Sequence, residues 1–168
     1  MPIPHPKRSC GECDACCTTL QVDELSKAAG TPCAMLKRLL PQGGHGCSIW
    51  KDPARPGICG SFVCEWLAGF GENHADRPDR LGLILRMGHA TEGPLAAEPF
   101  ALVHETEEGA HLRPRAQTVL AQIGKSVPIV LVKPSGERIL LGSRAIVERL
   151  GPRVFGGGSV TTTAGPQS

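Results

Sequence analysis

Cys10-Gly11-Glu12-Cys13-Asp14-Ala15-Cys16-Cys17 places four thiols in eight residues. Two residues separate Cys10 from Cys13 and two separate Cys13 from Cys16, so a turning backbone can aim several sulfurs at one centre. Gly11 relieves the chain where it turns most tightly. Such spacings recur in zinc and iron–sulfur sites, where the ion draws thiolates from a short loop. Cys33, Cys47, Cys59 and Cys64 follow, and no cysteine comes later. The first expectation is an N-terminal half held by what these eight sulfurs bind.

Composition supports that expectation. The chain of 168 residues has room for one domain, or one with a small appendage. Aromatic residues make up only 4% and tyrosine is absent, so the large rings that usually dominate a core are scarce. A structural zinc contributes about 10–16 kcal/mol to small metal-folded peptides, enough to replace that burial. With 18 basic and 16 acidic side chains there is no electrostatic footprint for nucleic acid or an anionic membrane, and neither partner is expected. Residues 1–9 carry Pro2, Pro4 and Pro6 without an apolar signal segment, and Leu83–Leu85 and Ile129–Val132 are too short to span a bilayer. A cytoplasmic, reducing location is expected, where metal ligands are favoured over disulfides.

The cysteine loop is followed by Thr18–Val22, which alternates like a short strand. Thr31-Pro32 predicts an N-cap and first helical residue of a helix through Leu40, with Cys33 in its first turn. Ser48–Trp50 reads as extended, and Pro53 and Pro56 exclude a regular helix over residues 51–57. Cys59–Ala68 predicts one helix carrying Cys64. Strands are expected at Leu81–Met87 and Phe100–Glu105. Apolar residues at 112, 116, 119, 120 and 123 predict a helix over Leu112–Ile123. Pro128–Lys133 and Arg138–Leu141 flank a Pro-Ser-Gly-Glu turn as a hairpin, and Ser143 caps a last helix through Leu150. Gly156–Ser168 is Gly/Ser/Thr-rich and expected to be disordered.

Adjacent Cys16 and Cys17 diverge on a strand or by roughly 100° on a helix, so one tetrahedral ion is hard to reach from both. Two centres, or one polynuclear centre with bridging thiolates, follow. Thiolate ligation suits zinc and iron alike. The Cys10, Cys13, Cys16 run matches ferredoxin-like clusters but lacks their Cys-Pro continuation, so the metal stays open. Closed four-thiolate sites favour a structural role over Lewis-acid catalysis. His45 is read as a solvated loop residue or a ligand beside Cys47. His5, His74, His89, His104 and His111 are read as surface, and Glu12 and Asp14 as solvated. Arg55 either donates to sulfur or packs a turn. Phosphate loops, His-Glu-x-x-His and a nucleophile set are missing, and so is the radical S-adenosylmethionine spacing.

Together these blocks resemble the YkgJ-like cysteine-cluster family, named for its Cys-x-x-Cys-x-x-Cys-Cys motif and described as zinc- or iron-chelating. Ser9-Cys10-Gly11 through Cys17 is similar to its start, and Pro32-Cys33 with Leu36 to its third block. Gly46-Cys47-Ser48-Ile49-Trp50, Arg55-Pro56, Cys59, Phe62, Cys64 and Trp66-Leu67 resemble its closing block. The likeness covers roughly residues 9–70 and departs from the family at Trp50, often tyrosine, and Gly60, commonly arginine. It implies cysteine-bound zinc or iron. A flagellin lysine methylase carries a similar cluster in a longer chain, but this sequence has no recognisable methyl-donor site.

The expected fold class is α+β: a loop-rich cysteine metal module with short helices at 1–78, a small antiparallel sheet and helix segment packed on it at 79–152, and a disordered tail at 153–168. The expected metal ligands are Cys10, Cys13, Cys16, Cys17, Cys33, Cys47, Cys59 and Cys64. The expected function is zinc or iron binding with a structural or partner-recruiting role towards another protein. The alternatives are an iron–sulfur enzyme or electron carrier, and a metal carrier.

Overall fold

The protein is described by a computed structural model covering residues 4–37, 46–49, 52–72, 74–93, 95–96 and 98–155, with 152–155 as helix backbone. It is α+β. A four-stranded sheet runs in the order β3 (Leu83–His89), β4 (Pro99–Glu105), β5 (Ile129–Val132), β6 (Arg138–Leu141). β3–β4 and β5–β6 are antiparallel, whereas β4 and β5 are parallel in the register Ala101↔Ile129. The sheet is therefore mixed, not antiparallel as expected. The reason is the helix between them, α5 (Pro114–Gly124): a crossover helix returns the chain to the same end of the sheet, so the next strand runs in the same direction.

Period-two alternation gives each face its own core. Leu83, Leu85, Ala101, Val103, Ile129 and Leu131 point to one side and pack under Ala116, Val119 and Leu120 of α5. Leu140 points to the other side, with Leu150 of α6 (Arg144–Phe155) and partly buried Val130, Phe100 and Ile146. Ile84 shares that other face, at the β3 end. It packs against Ala15, Val63, Cys64, Trp66 and Leu67 of the cysteine half. β3 is thus the wall between two cores, with Leu83 and Leu85 serving one and Ile84 the other.

Several expectations shift. Leu112 lies in a 3-10 turn, Ala110–Leu112, and is 57% exposed, because Pro114 at the first helical position delays the helix. α6 continues to Phe155, past Leu150. A short helix, α4 (Pro78–Leu81), runs across residues 78–79 and ends at Gly82 in the left-handed region, which turns the chain into β3. His111 is not simply a surface residue. The buried Glu105 carboxylate accepts hydrogen bonds from its backbone N–H at 2.7 Å and from Nδ1 at 2.6 Å. His104 is partly buried, and burial lowers its pKa. Residues 156–168 lie outside the described residues. Among the described residues no helix is long and apolar enough to cross a membrane.

The cysteine half is held to this frame by ions as well as by Ile84. Within the cysteine half, Arg8 donates to the carbonyls of Trp66 and Phe70 at 2.6 Å and of Gly71 at 2.7 Å, and its guanidinium stacks 5.2 Å from the Trp66 ring centroid. Asp76, 2% exposed, takes two hydrogen bonds of 2.7 Å from Arg115 on α5.

Candidate metal centre

The opening cysteine loop turns tightly: the Cys13 amide donates to the Cys10 carbonyl at 2.9 Å, and Gly11 sits at φ +53. The chain then enters a helix, α1 (Ala15–Thr19), which takes Thr18 and Thr19 from the short strand or extended segment expected at Thr18–Val22 and leaves Leu20 and Val22 extended. Buried Ala15 anchors that helix on Val63 and Trp66, which leaves Cys16 and Cys17 partly buried beside them.

The helix expected from Thr31 is not formed over the described part. Cys33 instead donates its amide to the Cys17 carbonyl at 2.9 Å, and β1 (Leu36–Lys37) pairs antiparallel with β2 (Gly46–Cys47), Leu36 opposite Cys47. A tertiary bond from one cysteine backbone to another has replaced a local helical one. The stretch 38–45, with His45, lies outside the described residues, as does Trp50. Ser48–Ile49 forms a turn after β2 rather than an extended piece.

The helix expected over Cys59–Ala68 is two. α2 (Gly57–Ser61) carries Cys59, Phe62 and Cys64 are extended, and α3 (Glu65–Ala68) follows with Cys64 as its N-cap residue. On an unbroken helix, residues five apart differ by about 140° in direction. The break lets Cys59 and Cys64 face the same space. Arg55 packs the turn before α2, donating to the Cys59 carbonyl.

That space is a cavity of about 670 Å³ lined by Cys10, Cys13, Cys16, Cys17, Cys33, Cys47, Cys59 and Cys64 together. Leu20, Leu36, Ile49, Phe62 and Ile84 supply apolar wall, and Lys27 and Arg55 supply cationic groups. All eight thiols are free rather than disulfide-bonded. They share the cavity without converging: among the described residues no three His, Cys, Asp or Glu side chains form a group that could hold an ion as they stand.

The sulfurs are electrostatically coupled. Burial pushes the Cys13 thiol up to about 12, against hydrogen bonds from the Ala15 and Asp79 backbone that favour the thiolate. Burial also raises Cys10, Cys59 and Cys64; Cys64 and Cys17 add to the effect at Cys10, and Cys17 does so at Cys59. Cys16 and Cys17 share a hydrogen bond that raises Cys16 and lowers Cys17, and Lys27 and Arg55 favour the Cys17 thiolate further. Cys17 therefore acts electrostatically on both Cys10 and Cys59.

The donor chemistry fits a soft ion: eight thiols line the cavity, and Lys27 and Arg55 on its wall can offset thiolate charge. Lys27 and Asp79 escaped the sequence reading. A lone lysine in a polar loop and an aspartate after a proline both look solvated, and no periodicity marks them. Comparison with family models, curated proteins and solved structures found no match for this chain.

Proposed function

We propose that this is a metal-binding protein whose eight cysteine thiolates hold zinc or iron. The observation that carries this reading is the single cavity lined by all eight, assembled from a loop, three short helices and a two-stranded ribbon. Burial alone would not gather every cysteine of the chain into one place when each could pack separately as a small hydrophobe. The role is structural: bound metal ties α1, the β1–β2 ribbon and α2–α3 together and shapes a surface for a protein partner in a reducing compartment. The resemblance to the zinc- or iron-chelating cysteine-cluster family supports the same reading. When bound, the ion supplies thiolate crosslinks, and the chain's part is to deliver sulfurs, exclude water with Leu20, Phe62 and Ile84, and offset charge with Lys27 and Arg55.

A second reading is an iron–sulfur centre in an enzyme or electron carrier. It is favoured by Cys17, whose charge acts on both Cys10 and Cys59 as that of a bridging thiolate in a polynuclear centre would.

Anaerobic purification, elemental analysis and an ultraviolet–visible spectrum test both. About two zinc per chain without visible absorption is the expected result for two four-thiolate sites. Iron with acid-labile sulfide and a broad visible band selects the second reading. Cys17→Ser and Cys59→Ser should each lower metal content. A chain without zinc or iron, or unchanged content in both variants, sinks the proposal.

A further inference from the structure

Lys27 is 6% exposed, an unusual place for an ammonium group. The chain goes out of its way to put it there. Val22 and Lys27 form an antiparallel bridge closed by two backbone hydrogen bonds of 3.0 Å, around a 3-10 turn at Asp23–Leu25. Ser26 takes a left-handed conformation at φ 49, the only non-glycine residue to do so among the described residues. This tight excursion returns Lys27 to the cavity wall.

Two of the three ammonium hydrogens are used on carbonyls, those of Leu20 and Ala28, the latter at 3.3 Å. Carbonyls satisfy donors but do not neutralise a charge, and a buried charge without a counter-charge is strongly unfavourable. Among the described residues no carboxylate lies within ion-pair distance of Lys27. Lys27 shares the cavity wall with Cys33, Cys17, Cys16 and Cys59, whose thiols act on its charge. Packing alone would be served by methionine, an unbranched side chain one atom shorter with no charge to bury.

We infer that Lys27 is the counter-cation of the thiolate centre: from the wall of the shared cavity its charge offsets the net negative charge of thiolates around a divalent ion. The inference rests on the metal-binding reading above. Lys27 is a positioning residue, since it holds the charge balance of ligands and does not itself take the metal.

The test uses the full chain reconstituted with zinc, with affinity measured by competition against a chromophoric chelator. Lys27→Met should bind at least about tenfold more weakly, the range for groups that hydrogen-bond to metal ligands, while Lys27→Arg stays within about threefold of wild type. Unchanged affinity in Lys27→Met, or an equal loss in both variants, overturns the inference: the first removes any role of charge, the second reduces the residue to shape. If Lys27→Met does not fold, nitrogen NMR of the zinc-loaded wild type decides. A slowly exchanging Lys27 ammonium signal supports the inference, and a neutral amine overturns it. A wild-type chain that takes up neither zinc nor iron overturns the metal-binding reading itself, a failure visible before any variant is made.

Discussion

Asp76 shows how one side chain joins the two halves of the chain. Its carboxylate accepts two hydrogen bonds from Arg115 and one from the Glu72 amide, and these hold its pKa below the usual value even though burial pulls the other way. A depressed carboxylate adds stability above the unfolded value near pH 4, and that stability is lost as pH falls through the folded pKa. Asp76→Ala should cost about 1–3 kcal/mol at neutral pH, less than a fully buried pair because Arg115 is 42% exposed. The gap between variant and wild type in urea unfolding should shrink below about pH 4; a gap that stays constant would assign the loss to packing. Nothing in the sequence marked this pair, since its partners are 39 positions apart.

At the level of elements, local rules held where an element's own residues form its core. β3, β4, α5 and the β5–β6 hairpin lie within a few residues of where alternation and proline place them. They failed around the cysteines. The helix from Thr31 gave way to a bond with Cys17, and the helix from Cys59 broke before Cys64. In both places the preferred local structure would have aimed a sulfur away from the others. The join between α4 and β3 is a sharper case. Gly82 sits at φ +80, and a Cβ there would stand 2.7 Å from that of Ala110. Gly82→Ala should therefore lose at least about 2 kcal/mol, from left-handed strain plus overpacking, read by chemical denaturation. A loss near zero would mean that the turn can relax.

The whole molecule has two cores that meet at β3. The larger is built from residues of α4, the sheet and α5 and contains no cysteine, while the smaller needs Ala15, Val63, Cys64, Trp66 and Leu67. On the proposed metal-binding reading, treating the loaded chain with a chelator should release amide protection in α1, the β1–β2 ribbon and α2–α3 and leave β3–β6 protected, as measured by hydrogen exchange. If these thiols are ligands as proposed, Cys10, Cys13, Cys59 and Cys64, all raised by burial, must each lose a proton on binding, so metal retention should weaken as pH falls. Loss of protection over the whole chain on chelation would show that Ile84 and the Asp76–Arg115 pair couple the cores into one unit.

The sequence by itself determined the fold class, most elements of the sheet half, and the positions of the eight thiols along the chain. Those features rest on periodicity and residue type, which act over a few neighbouring positions. Only the tertiary structure decided that the sheet is mixed, that α1 and the broken α2–α3 replace other local choices, and that all eight thiols line one cavity beside Lys27. Those features depend on where distant backbone and charged groups meet, and contacts between residues far apart in the chain leave no periodic trace in it.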